Sequence, residues 1–419
     1  MAVQGGRVIR APCGKHCVLY SLFLPVSHWK VFSLLVREGA LVYNRLMEQT
    51  KTKNSIFRLA PGRHVLLLVS AAVIAAHLLT RRSHALNRWL SERFVRPLHR
   101  AMSLAAARLP FSQAELLIGL AALTLIVYII ISIKRLLFEK HRIRQVYIML
   151  ITLASAALAV YAGFCLLWGV FYYGDDFAAQ SGLKSDPVSM EELRTVTAWF
   201  AGLCNEYAGQ VPRDENGVCA ADRTELLRRS SEVYAEAERR CPCLAGPAIR
   251  AKGIFFSRLM SYTDFTGFFF PFTAEANVNT DFPPALFAAT VAHELAHQRG
   301  VAKEQEANFC AVMASLLYGD PVYCYSACLL AYTHLGNALY GADRAAWEEI
   351  ASTLSEPVRR DFAAERAYWK QFETPVQTVS NTVYEGFLHS YDQDLGLRSY
   401  GACVDLLVNY YYEAASGLA

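Results

Sequence analysis

Three stretches without a single charged residue govern what this chain can fold into: His64–Thr80 over 17 residues, Leu116–Ile133 over 18 and Val146–Gly174 over 29. A helix that crosses the hydrocarbon core of a bilayer needs about 20 mainly apolar residues. The second and third stretches meet that length, while the first is shorter and holds His64 and His77 near its ends. Membrane spans at 64–80, 114–133 and 146–171 are the expectation. Composition agrees, with 54% hydrophobic and 19% charged residues, where soluble domains run near a quarter charged. The net charge of +4 is small, but Arg81, Arg82, Arg88, Arg93, Arg96, Arg100 and Arg108 all sit beside apolar stretches. Without aromatic–basic interleaving, that pattern fits lipid headgroups and gives no reason to expect nucleic acid.

The spans divide the chain. Residues 1–63 form a lead-in whose Cys17–Val36 stretch is apolar but broken by Pro25 and Lys30, as an interfacial segment or a weak signal sequence would be. Met47 is an alternative start. Residues 64–174 form a membrane domain, and 84–109 within it has Leu86, Trp89, Leu90, Phe94, Leu98, Met102 and Leu109 at helical spacing, an amphipathic helix ended by Pro110. The loop Lys134–Arg144 carries Lys134, Arg135, Lys140, Arg142 and Arg144. The positive-inside rule puts it in the cytoplasm and residues 175–419 outside. Eight cysteines follow the last span, an even number that permits disulfides in an oxidising compartment.

The C-terminal half alternates polar and apolar residues like a folded domain. Ser189 with Glu192, and Asp222 with Glu225, are capping-box patterns that open helices. Gln210–Ala221 reads as a loop. Tyr262–Asn279, rich in phenylalanine, reads as one or two strands. Pro283 and Pro284 introduce a helix over Ala285–Arg299, and Glu304–Leu317, Val322–Tyr340, Arg344–Phe372 and Ser399–Tyr412 continue as helices.

Chemistry concentrates at His293-Glu294-Leu295-Ala296-His297. Residues four apart share a helix face, so both imidazoles can address one cation. Glu294 projects beside that cation as general base and then acid. Catalytic zinc commonly keeps three protein ligands and one open position. A metzincin would place its third histidine where Lys303 stands, and an ammonium cannot ligate zinc. The gluzincin alternative takes a glutamate from the following helix: Glu304 is expected, with Glu306 the competitor. Asn308, one turn beyond Glu304, is expected to hydrogen-bond a ligand histidine. Asn277 and Asn279 on the preceding strand are candidate contacts to a substrate backbone. His334, Tyr384, Tyr391 and Tyr400 are candidates to stabilise an oxyanion. Cys241-Pro-Cys243 is too tight for a usual zinc pair, and Cys310 is a distant option for a fourth ligand.

Several segments carry a resemblance: Leu109-Pro110-Phe111-Ser112, Trp168-Gly169 with Tyr172-Tyr173, Gly267 to Asn279, His293 to Asn308, and Ser399-Tyr400-Gly401 with Val404-Asp405-Leu406-Leu407. On these the chain resembles a family of three-span bacterial membrane proteins, classed as a domain of unknown function and carrying a gluzincin-like motif. Phe171 and Gly174 depart from it, standing where asparagine and arginine are expected. The resemblance implies a zinc-peptidase-like domain in a bacterial membrane and supplies no substrate.

The expectation is therefore a mainly α membrane protein: three N-terminal transmembrane helices, then a mostly helical zincin-like (α+β) catalytic domain at 175–419. Its cofactor would be Zn2+, held by His293, His297 and Glu304, and its partners a peptide or protein substrate and the lipid bilayer. Two rivals are a membrane sensor with a zinc-binding domain and a scaffold in which zinc is structural.

Overall fold

The computed structural model describes residues 56–391 and 401–417. Cys17–Val36, the alternative start Met47 and the oxyanion candidate Tyr400 lie outside them. The chain divides into two units, Met1–Val65 and Leu66–Ala419. The described part of the first is a 3-10 turn, Ile56–Leu59, and the opening of helix α1, Pro61–Thr80. Apart from the opening of α1, everything below concerns the second unit.

Among the described residues, three helices are long and apolar enough to cross a membrane: Pro61–Thr80, Gln113–Phe138 and Arg142–Tyr172. Between the first two lie α2 (His84–Leu90), a π-helical turn Ser91–Val95 and α3 (Arg96–Ala106). The second candidate span is α4 (Gln113–Phe138) and the third begins as α5 (Arg142–Phe164). Leu116, Leu120, Leu123, Ile126 and Ile130 of α4 are all exposed, a continuous apolar surface that water would not tolerate and lipid would cover. α5 runs on through a π-helical turn, Cys165–Gly169, to Tyr172. Its 31 residues measure about 46 Å at 1.5 Å per residue, against about 30 Å of hydrocarbon. The excess length forms a wall of the site described below.

The segment expected to be amphipathic is helical, and its two faces have different partners. Leu86, Trp89, Phe94 and Leu98 are exposed. Arg88 pairs with Asp175 at 2.7 Å, and Arg96 donates to the Cys243 carbonyl at 2.7 Å. Two of its arginines thus bind the C-terminal half of the protein.

That half is built on α6 (Met190–Ala208), opened by the Ser189–Glu192 capping box as expected. Asp222 caps the helix Arg223–Arg229, but Glu225 pairs with Arg228 and Arg229 instead of closing a box. A small sheet has the order β1-β3-β2, from β1 (Lys252–Gly253), β2 (Gly267–Phe270) and β3 (Glu275–Val278). β2 and β3 are the antiparallel hairpin of the expected strand region, and β1 adds to β3 in parallel. Then follow α7 (Phe287–Gln298), α8 (Glu304–Tyr318), α9 (Pro321–Ala342), α10 (Arg344–Ser352), α11 (Glu356–Lys370), α12 (Pro375–Ser390) and α13 (Gly401–Ala415). The helical stretch expected over 344–372 is made of two helices, α10 and α11, and α12 stands where none was expected. Phe200, Phe287, Leu295, Phe309, Tyr323 and Leu335 fill one core among these helices.

The start of α4 is locked to β3. The Glu275 carboxylate accepts from the backbone N–H of Gln113 (3.2 Å) and Ala114 (2.9 Å), from Thr273 Oγ1 (2.7 Å) and from Lys252 Nζ. An acid at a helix N-terminus satisfies orphan donors and opposes the dipole. Ser112 caps the same turn, accepting from Glu115 N–H while donating to Asn277 Oδ1 at 2.7 Å. This corrects the expectation for Asn277 and Asn279: both are fully buried. Asn279 donates to Ser261 Oγ at 2.8 Å and accepts from Asp281 N–H. Their polar atoms are spent inside the protein, so neither is available to a substrate. All nine described cysteines are free thiols, so the disulfides that an even count permits are not formed.

Candidate metal centre

α7 sets His293 and His297 one turn apart, and Gly300 (φ +86°) then reverses the chain. A left-handed residue costs glycine little, and it lets Gly300 N–H and Val301 N–H close on the His297 and Ala296 carbonyls. α8 starts four residues on, with Glu304 directed back at α7. The Nε2 atoms of His293 and His297 lie 3.0 Å apart. Glu304 places Oε2 at 3.1 Å from His293 Nε2 and Oε1 at 3.6 Å from His297 Nε2. One ligand atom from each residue falls within 4.8 Å of the others, and among the described residues no other such trio occurs.

The three side chains constrain one another's protonation. His297 Nδ1 sits 2.6 Å from the Val301 carbonyl, which can only accept, so Nδ1 carries a proton. Nε2, the other ring nitrogen, faces His293 and Glu304. Burial works against a charged His297, yet the Glu304 carboxylate beside it raises its pKa to about 9. Burial would likewise raise Glu304, but His297 and His293 hold it well below the usual carboxylate range. A divalent cation in this place would replace the proton that these groups otherwise share.

Glu294 lies beside the trio. Burial pushes its carboxyl up to about 7 against the opposing pull of His293 and His297. Its Oε2 is buried without a hydrogen-bond partner. Gly267 of β2 makes room for it, since a Cβ there would stand 2.5 Å from Glu294 Oε1. This is a close approach that only glycine allows. All four groups line one cavity of about 460 Å³. Its walls come from the end of the third span (Phe164, Trp168, Tyr172), from β2 (Gly267, Phe268, Phe269), from α7 and α8, and from α12 (Asn381, Tyr384, Phe387).

The chain belongs to the DUF3810 family. The family model, described as a protein of unknown function, matches residues 91–408. No curated protein and no solved structure matches the chain. The matched stretch starts in the π-helical turn before α3 and ends within α13, so every residue of the trio and every wall of the cavity falls inside it.

The remaining expected residues divide. Glu306 turns away from the trio, is buried, and accepts the backbone N–H of Phe177 at 2.9 Å, capping the short helix Phe177–Ser181. Burial raises its carboxyl to about 7. Nearby, Lys303 pairs with Asp176 and Arg299 with Glu238. Asn308 lines the cavity, but the outer nitrogen of His297 is held by Val301, not by Asn308. Of the oxyanion candidates, Tyr384 lines the cavity and donates to Glu304 Oε1 at 2.8 Å. Tyr391 packs against Phe164 and Tyr172 with its hydroxyl 3.9 Å from Cys165 Sγ. His334 is buried; burial and the nearby His293 lower its pKa to about 4.

Trp168 and Tyr172 were missed as site residues. Trp168 stands edge-on to His297 at 5.9 Å and donates from Nε1 to the Tyr172 hydroxyl at 3.1 Å. Their spacing of four at the polar end of an apolar run is a readable signal. Glu365 and Asn381 also line the cavity, and no local pattern marks either.

Proposed function

We propose that this chain is a membrane-anchored zinc metallopeptidase of gluzincin-like type. One observation carries the reading: two histidines and a glutamate converge on one point beside a buried carboxylate whose Oε2 has no partner, at the wall of a cavity. Three protein ligands with a side left open are what a catalytic zinc site needs, whereas a structural site is closed by four. Bound zinc would supply a Lewis acid that acidifies water and polarises a carbonyl. His293, His297 and Glu304 are the residues that would hold it, with Val301 fixing the tautomer of His297 and Tyr384 orienting Glu304. Glu294 takes a proton from the attacking water at its free Oε2 and returns it to the leaving amine; a pKa of about 7 suits both steps. β2 is one of the two edge strands of its sheet, and its cavity-facing side offers backbone groups to an extended peptide. The aromatic walls favour bulky apolar side chains.

The purified full-length chain is expected to contain about one zinc and to cut a peptide library in a chelator-sensitive, zinc-restored manner. A chain that binds zinc without any cleavage removes the peptidase and leaves the sensor or scaffold reading, and a chain that binds no zinc removes all three. We place residues 175–419 outside the cytoplasm, because the loop 134–144 holds five cations and Arg88 and Arg96 of the opposing segment have protein partners. The eight free thiols of that half favour the opposite, reducing side. A reporter fused after Ala419 decides: activity confined to the cytoplasm overturns the outside assignment.

A further inference from the structure

α12 covers the metal cavity, and its outer surface is unusual for a helix in water. Val376, Val379 and Val383 are 56%, 63% and 68% exposed. With 3.6 residues per turn, these three and Phe387 fall within an arc of about 80°. Thr378, Thr382, Glu385 and His389, all exposed, occupy the opposite side of the helix. The apolar edge has a direction in the molecule, because Phe387 packs edge-on against Phe164 of the third span at 5.6 Å. The valine edge therefore continues a surface that already touches a membrane-crossing helix.

A second observation fixes the membrane face. α4 and α5 are joined by only Glu139–His141, so the start of α4 and the end of α5 emerge at one side of the bilayer. At the start of α4, Glu115 accepts the backbone N–H groups of Phe255 and Phe256 at 2.9 and 2.7 Å. Phe255, Phe256 and Leu259 are then 85%, 60% and 67% exposed. Two separate apolar patches, each attached to the emergent end of a span, lie at the same membrane face.

We propose that α12 is a lipid-docking helix, its valine edge resting among the headgroups of the leaflet from which α4 and α5 emerge, so that the metal cavity is roofed by a membrane-held element. An amphipathic helix with this division of faces buries its apolar side about 5–10 Å into the headgroup–acyl boundary. The proposal does not depend on zinc or on catalysis.

The test uses the full-length protein in vesicles of phosphatidylethanolamine and phosphatidylglycerol. An environment-sensitive fluorescent amino acid replaces Val379 in one protein and Glu385 in another. Nitroxide-labelled lipid is expected to quench position 379 roughly three- to fivefold more than position 385, and aqueous iodide to do the reverse. Equal quenching at the two positions, or free access of iodide to 379, overturns the proposal. Protection of 379 from iodide without quenching by the lipid means that protein, such as a second copy of the chain, covers the edge, and overturns it as well.

Discussion

Two buried polar clusters lie on either side of the β2–β3 hairpin, and they differ in whether their hydrogen-bonding capacity is used. Around Glu275, the carboxylate takes two backbone N–H groups, a hydroxyl and the Lys252 ammonium, and Lys252 also donates to the Ala106 and Phe111 carbonyls at 2.8 and 3.0 Å. Around Glu294, the carboxylate keeps an unpartnered Oε2 and His293 an unpartnered Nδ1, while two imidazole nitrogens face each other at 3.0 Å. A satisfied network fixes geometry, here the junction between α4 and β3. An unsatisfied buried carboxylate costs stability and persists where something else is to be bound or moved.

The comparison breaks first at Glu294. Glu294→Gln keeps the shape and the three ligands, so zinc content should stay near one per chain while cleavage falls by roughly 10²–10⁴-fold. Unchanged turnover would reduce Glu294 to the structural status of Glu275. Metal analysis sharpens the ligand set next: Glu304→Ala should abolish tight zinc binding, and Glu306→Ala should retain it because Glu306 caps a different helix. The reverse pair of results would transfer the ligand to Glu306.

On the satisfied side, Lys252→Met strands the Glu275 carboxylate in the interior, which typically costs about 3–5 kcal/mol. A lowered unfolding midpoint with zinc affinity intact is the expected signature, and loss of zinc at full stability would join the two clusters functionally. The smallest effect belongs to Glu365, a cavity-lining carboxylate with an unpartnered Oε2. Burial raises its pKa from 4.5 to about 7. Its contribution to stability is therefore fully present below about pH 4.5 and is lost as pH rises to 7, by up to roughly 3 kcal/mol. Glu365→Gln should flatten unfolding measurements across that window; an unchanged slope would show that this carboxyl ionises normally.

How legible each feature was depended on the range of its cause. The spans are legible in runs without charge, and the trio in two histidines one helical turn apart followed by a glutamate at the start of the next helix. α12 has no readable local signal because its three valines, two threonines and one glycine are weak helix formers, and its inner face is stabilised by distant partners such as Thr263 and Glu304. β1 is two residues long and exists only through its pairing with β3. Asn277 and Asn279 drew the wrong role because a polar residue on a strand near a metal helix looks the same in sequence whether it faces a ligand or Ser112.

By itself the sequence determined the three apolar helices, the HExxH pair and the glycine reversal that returns Glu304. These rest on hydropathy, the 3.6-residue period and the left-handed freedom of glycine, all acting within a few residues. Tertiary structure alone decided that Glu306 caps Phe177 and that the end of the third span supplies Trp168 and Tyr172 to the cavity. Those outcomes depend on which donor meets which acceptor across more than a hundred residues of chain, as with the 129-residue separation between Phe177 and Glu306, and no local pattern encodes such a meeting.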